Sequence, residues 1–206
     1  VAHLLLDPNP CHSTEVWKGL LGAHCRLYQG LGVIPLAQDY AALQAYVRPR
    51  HRLQRILIAF GGVDQGNATV LALEAVLATS LSLEVDVVVG QNYPYLQELL
   101  VRTRTMSQVR LHQATRNMAQ LILKADIAIG AAGTMAWERW ALALPGWVIA
   151  IAPNQEDQVG CLEQLGLATP LNGADWPDQL AGQIHHATLN FNPWRQQSER
   201  AVKLLR

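Results

Sequence analysis

The sequence predicts an α/β protein whose main part is a Rossmann-like, mostly parallel sheet with helices on both faces, preceded by a short segment of different character. Three observations carry this. Short β-rich apolar runs recur at 56–60, 85–89, 109–111, 127–129 and 148–151, each followed by a loop and then by apolar spacing of helical period. A repeated β-α unit implies a parallel sheet, with right-handed crossovers that gather the strand C-termini on one edge. Two of the runs pass through glycine and small residues into the next helix, which is how such sheets present helix N-termini to an anionic ligand. A chain of 206 residues, 50% hydrophobic and 16% charged, can bury a full core.

Residues 1–49 open with the strand-like run LLLDPNP at 4–10, continue through an amphipathic stretch at 16–21, and reach a second short strand at 26–28. The basic, proline-marked stretch VRPRHRLQR at 47–55 reads as a link, so the domain boundary is expected near Pro49, with a remnant at 1–49 and a ligand-binding domain at 50–206. Helices are expected at about 67–79, 93–102, 117–124, 134–143, 156–165 and 175–186, with a terminal helix at 193–206. No internal repeat or low-complexity tract interrupts this order.

Lys+Arg and Asp+Glu are equal at 16 each, so no long-range field gathers nucleic acid or an anionic membrane, and anion recognition must be local. Cys11, Cys25 and Cys161 are widely spaced and odd in number, which suits reduced thiols in the cytoplasm better than a disulfide framework. The apolar runs are too short to span a bilayer. Neither G-x-S-x-G nor G-x-x-x-x-G-K-[ST] occurs, which disfavours serine-hydrolase and nucleoside-triphosphatase chemistry. His185 and His186 have no cysteine or carboxylate at metal-ligand spacing, so neither a metal nor a cofactor is expected. Trp137, Trp140 and Trp147 read as core or interface residues.

The candidate binding residues sit where strands end. Gly61 and Gly62 precede Asp64, Gly66 and Asn67, so bare backbone amides can approach a pyrophosphate at the start of the next helix, although an ordinary β-α turn has the same composition. Gly133 and Thr134 open a further helix, whose dipole and free N–H groups stabilise an anion. Glu138 lies on the face of Thr134, where its carboxylate can accept both hydroxyls of a ribose; the plainer reading pairs it with Arg139 in solvent. The apolar company of Met135, Ala136, Trp137 and Trp140 favours the ribose reading. Asn154 and Gln155 carry amides suited to sugar hydroxyls, or to capping the helix that follows, with Gln158 one turn on.

The segments AFGGVDQGN at 59–67, NMAQLILKADIAI at 117–129, the G-T-x-x-W-E stretch from Gly133 to Glu138 and the closing Asn154-Gln155 resemble the C-terminal half of the nucleotide-sugar hydrolase of pseudaminic acid biosynthesis, a relative of the GT-B glycosyltransferases. LLLDPNP and CRLYQGLGVIPLAQDY resemble that family's crossover between domains. The resemblance implies the C-terminal domain of a GT-B fold that binds UDP or a UDP-sugar through Gly61, Gly62, Asp64, Asn67, Gly133, Thr134, Glu138, Asn154 and Gln155, with the loop at 112–115 against the uracil. The family's histidine-bearing G-x-G-H-x-x-R loop has no counterpart here. No catalytic residue is therefore assigned, and the chain alone is expected to be inactive, its base supplied by a missing N-terminal domain. A glycosyltransferase C-terminal domain and a non-catalytic nucleotide-sugar binding module are the alternative readings.

Overall fold

The computed structural model describes residues 2–205 and divides into two compact units, Val1–Gln38 and Asp39–Arg206. In the first unit β1 (Leu4–Asp7) pairs in parallel with β2 (Arg26–Gln29), Leu4 opposite Arg26 and Asp7 opposite Gln29. The buried Asp7 carboxylate organises this unit. It accepts from Trp17 Nε1 at 2.9 Å, Gln29 Nε2 at 3.2 Å and the Asn9 amide at 3.1 Å, with His12 Nδ1 at 3.0 Å. A buried carboxylate is tolerated only when donors surround it in this way. The amphipathic stretch at 16–21 contains little regular structure. Only a single 3-10 turn, Thr14–Trp17, forms before Gly19 takes φ +80°, a conformation that ends a helix and that glycine adopts without strain.

The second unit opens within α1 (Gln38–Gln44), at Asp39, and then builds a six-stranded parallel sheet in the order β5-β4-β3-β6-β7-β8. The strands are β3 (Arg55–Ala59), β4 (Glu84–Val89), β5 (Val109–Gln113), β6 (Ile127–Ala131), β7 (Gly146–Ile149) and β8 (Thr169–Pro170). They alternate with α2 (Ala68–Ala78), α3 (Leu96–Thr103), α4 (Met118–Lys124), α5 (Thr134–Ala141) and α6 (Glu156–Gln164), and α7 (Trp176–Leu189) and α8 (Asn192–Leu204) close the chain. The central strands are valine- and isoleucine-rich without alternation because both of their faces are covered. Ile56, Ile58, Ile127 and Ile129 join α2, α7 and α8 in one core. Helix α2 is apolar almost all round because it lies between the sheet and α7.

Two departures from the sequence reading have clear causes. Tyr93 does not start α3; its ring is buried in the core and the helix begins three residues later. The strand expected at 148–151 runs instead over Gly146–Ile149, because Gly146 is seated against the Ala128 carbonyl where any side chain would collide. Helix α8 is seated on this unit through Trp194, whose ring meets Trp147 edge-on at 5.3 Å. Cys25 is a free, half-buried thiol, whereas neither Cys11 nor Cys161 is free, which corrects the reading of all three as reduced thiols.

The basic stretch at 47–55 lies within the second unit and holds it together. The buried Arg50 guanidinium donates to the carbonyls of Ile122 (3.1 Å), Leu123 (3.3 Å) and Ala125 (3.3 Å) at the end of α4, and of Leu142 (2.7 Å) and Ala143 (3.1 Å) at the end of α5. Helix C-termini leave carbonyls unpaired and carry partial negative charge, so one cation satisfies two helices at once. Burial draws the Arg50 pKa down to about 10, with Asp126 opposing, and the group stays charged at neutral pH. Ser198 of α8 completes the clamp, accepting from the Arg50 amide at 3.1 Å and donating to the Ala143 carbonyl at 2.7 Å.

Candidate functional site

Strands β3 and β6 are neighbours, yet the chain leaves them in opposite directions, to β4 on one side and β7 on the other. The loops after β3 and β6 therefore diverge and open a crevice at the strand C-termini, the place where ligands of doubly wound sheets bind. A cleft of about 410 Å³ lies there, lined by Ala59, Phe60, Gly61, Gly62, Val63, Asp64, Ala131, Gly133, Thr134, Met135, Ile151 and Gln155. Six of the nine residues singled out in the sequence line it, and Asn67, Glu138 and Asn154 do not. Gly61 takes φ +100°, which is open to glycine and costly to other residues. Gly90, at the end of β4, is packed so closely on the Gly62 carbonyl that a Cβ there would collide with it.

The two helix N-termini facing this crevice differ. Asp64, in a left-handed conformation, accepts from the Ala68 amide at 2.9 Å and the Thr69 amide at 2.8 Å. The first turn of α2 is thus already occupied by the protein's own carboxylate, which serves as its anion. Helix α5 has no such cap: Gly133 precedes it without a side-chain hydrogen bond, and of its first-turn amides Ala136 donates to the Gly133 carbonyl at 2.9 Å, which leaves those of Thr134 and Met135 to face the cleft. The N-terminus of α5 thus keeps its dipole uncompensated, whereas that of α2 already faces a carboxylate. The sequence treated the two turns alike, because it could not show which way Asp64 faces.

Asn67 also has a protein partner. Its Oδ1 accepts from the Tyr93 hydroxyl, whose pKa is raised above the ordinary tyrosine value by burial and then by the charge of Asp64. Glu138 is half-buried on α5, and its Oε2 accepts from the Tyr40 hydroxyl of α1 at 3.0 Å. Arg139, the partner considered for Glu138, makes no ion pair with it; the guanidinium is buried and donates to the Ala131 carbonyl at 2.8 Å. Gln155 Oε1 accepts from the Ile151 amide at 3.1 Å, which holds the side chain over Gly133. Gln158 donates to the Gly133 carbonyl at 3.0 Å, so it supports the turn from behind. Asn154 is exposed in the 3-10 turn Pro153–Gln155 and caps nothing.

Near the loop expected to read a base, His112 Nε2 lies 2.8 Å from Oδ1 of the buried Asp86, which also accepts from Arg55 Nη1 at 2.7 Å. The His112 side chain is thus part of the hydrogen-bonding across β3, β4 and β5. Trp137, Trp140 and Trp147 are buried, in keeping with their reading as core. Tyr40, Arg139 and Gly90 were not singled out. Their roles follow from long-range contacts that no local motif announces. Among the described residues no group of three or more histidine, cysteine or acidic side chains is placed to hold a metal, and no helix is long and apolar enough to cross a membrane.

No protein-family model matches the chain. The uncharacterized protein MJ1062 of Methanocaldococcus jannaschii is 31% identical over 105 residues, 50% of this chain and 21% of that protein. Among solved structures, spinosyn rhamnosyltransferase SpnG complexed with thymidine diphosphate superimposes with a TM-score of 0.63 at 20% identity, covering 97% of this chain and 52% of that one. WaaG, a glycosyltransferase involved in lipopolysaccharide biosynthesis, gives 0.61 at 16% identity over 97% and 57%. The glycosyltransferase SnogD from Streptomyces nogalater gives 0.53 at 18% identity over 83% and 42%. The fold is that of the Rossmann-like C-terminal domain of GT-B glycosyltransferases, and the chain spans about half the length of these structures.

Proposed function

We propose that this chain is the nucleotide-sugar-binding domain of a GT-B glycosyltransferase, with a nucleoside diphosphate such as UDP seated in the cleft between the loop after β3 and the N-terminus of α5. The observation that carries this reading is the uncapped start of α5 at Gly133 and Thr134, facing the Gly61–Gly62 turn across a cleft of about 410 Å³. Amides there receive the diphosphate, Gln155 and Asn154 lie on the sugar side, and Glu138 is one turn from Thr134 for the ribose. Diphosphate is the leaving group of sugar transfer, so the same amides stabilise the charge that develops on it. The resemblance to the nucleotide-sugar hydrolase supports a second reading in which water is the acceptor. The likeness to solved glycosyltransferases favours the first. In both, this chain holds the nucleotide and a further domain supplies the base and the acceptor site.

Thermal denaturation with a nucleotide panel tests the reading. A ligand bound only by the folded state raises stability by RT ln(1 + [L]/Kd), about 2.7 kcal/mol at a hundredfold excess over Kd. UDP or TDP is expected to raise the melting temperature more than the corresponding monophosphate, with uridine least effective. Equal responses to all three, or none, would sink the proposal. Release of UDP from a UDP-sugar only when a sugar acceptor and the complementary domain are present would identify a transferase, and release into water a hydrolase.

A further inference from the structure

None of the residues lining the cleft is cationic, although Asp64 among them is an acid. A positive side chain, Arg139, is packed against the backbone of the two strands that floor the cleft. Arg139 is 4% exposed, and its Nη2 donates to the carbonyl of Ala131, a lining residue. Its Nη1 is buried with no hydrogen-bond partner and lies against Gly130, where a Cβ would strike both this nitrogen and the carbonyl of Ala59, the other floor residue. Glu138 is near enough to favour its charge, yet the Glu138 carboxylate is bonded to Tyr40 and no ion pair forms. A buried guanidinium without a carboxylate partner is costly to keep, and its field is poorly screened because no water surrounds it.

We propose that Arg139 is a positioning charge for the ligand's phosphates: held behind Ala59 and Ala131, it adds a positive field to the open N-terminus of α5 and makes the cleft selective for highly charged phosphate groups. This rests on the reading of the cleft as a nucleoside-diphosphate site. Burial draws the pKa of Arg139 down to about 10, which leaves it charged at neutral pH. Its charge opposes that of Asp64 on the other side of the cleft. The two favour an anion displaced towards α5, the same side that the free amides favour.

The test compares UDP, UMP and uridine on wild type, Arg139→Met and Arg139→Lys, with folding checked by circular dichroism. Arg139→Met is expected to weaken UDP by about tenfold or more, UMP by less, and uridine hardly at all, because the loss scales with ligand charge. Arg139→Lys keeps the charge and is expected to retain most of this gradation. Equal losses for all three ligands, or no loss for UDP, would overturn the proposal. Should Arg139→Met fail to fold, the guanidinium resonances of Arg139 in the wild type decide. They are expected to shift on addition of inorganic pyrophosphate, and unmoved resonances would overturn the proposal. Wild type that shows those shifts with pyrophosphate and ignores UDP would support the anion seat and refute the nucleotide reading.

Discussion

The Tyr40 hydroxyl donates a hydrogen bond to Oε2 of Glu138 at 3.0 Å, tying helix α1 to the first turns of α5. Tyr40 is buried, and its pKa is raised above the ordinary tyrosine value by burial and then by the Glu138 charge, so the hydroxyl remains a donor across the physiological range. A carboxylate has a second oxygen and spare lone pairs, so this bond orients Glu138 without exhausting it. Tyr40→Phe is expected to weaken UDP binding by several-fold, consistent with a bond worth about 1 kcal/mol. Glu138→Gln, which acts on the carboxylate itself, should cost more. Tighter binding by Tyr40→Phe in a calorimetric titration would mean that Tyr40 competes with the ligand for Glu138, and unchanged binding that this bond plays no part in the site.

Asp64 caps α2 with two amide bonds while presenting a negative charge to the cleft. Asp64→Asn keeps one acceptor oxygen and removes the charge. It is expected to lower stability by about 1 kcal/mol, as the loss of a good cap does, and to tighten UDP binding while leaving uridine unaffected. Denaturant melts and titrations on the same samples check both halves. Weaker UDP binding by a folded Asp64→Asn would show that the carboxylate contacts the ligand directly.

The close approach of Gly90 to the Gly62 carbonyl sets the position of the glycine turn. Gly90→Ala forces backbone against side chain, and overpacking of this kind costs roughly 1–3 kcal/mol. Because the displaced group belongs to the cleft wall, nucleotide affinity should fall further than stability does. A Gly90→Ala protein that melts lower and binds UDP normally would show that the turn plays no part in the site.

Removing the Arg50 clamp strands carbonyls at the ends of both α4 and α5. Arg50→Met is expected to cost about 3 kcal/mol or more, with carbonyls left unsatisfied, and to lower the melting temperature by about 6–12 °C for a chain of this size. Differential scanning calorimetry reads this directly, and a shift of under a degree would contradict the clamp.

The α/β class, the parallel order and most strand and helix positions were readable because buried parallel strands and packed helices leave strong apolar periodicities. The turn at Gly61 was readable as well, since a residue held at φ +100° is glycine by preference. Side-chain direction was not. The hydrogen bonds of Asp64 to the amides of α2 and of Asn67 to Tyr93 could not be read from their place after a strand. Arg50 looked like part of a link because arginine is rarely buried, and the helix-end carbonyls it holds lie more than 70 residues away. Arg139 was hidden beside Glu138, where adjacency in sequence suggested an ion pair that helix geometry does not make.

The most direct test of the nucleotide-site account is a titration of the isotopically labelled chain with UDP, followed by amide resonances. One saturable site is predicted, with Kd between micromolar and millimolar, about −8 to −4 kcal/mol, and with the largest shifts at Gly61, Gly62, Gly133 and Thr134. Resonances at the opposite end of the strands, around Ser80 and Ser107, should stay still. Absence of saturable shifts at millimolar UDP, or shifts centred away from the loops after β3 and β6, would contradict it.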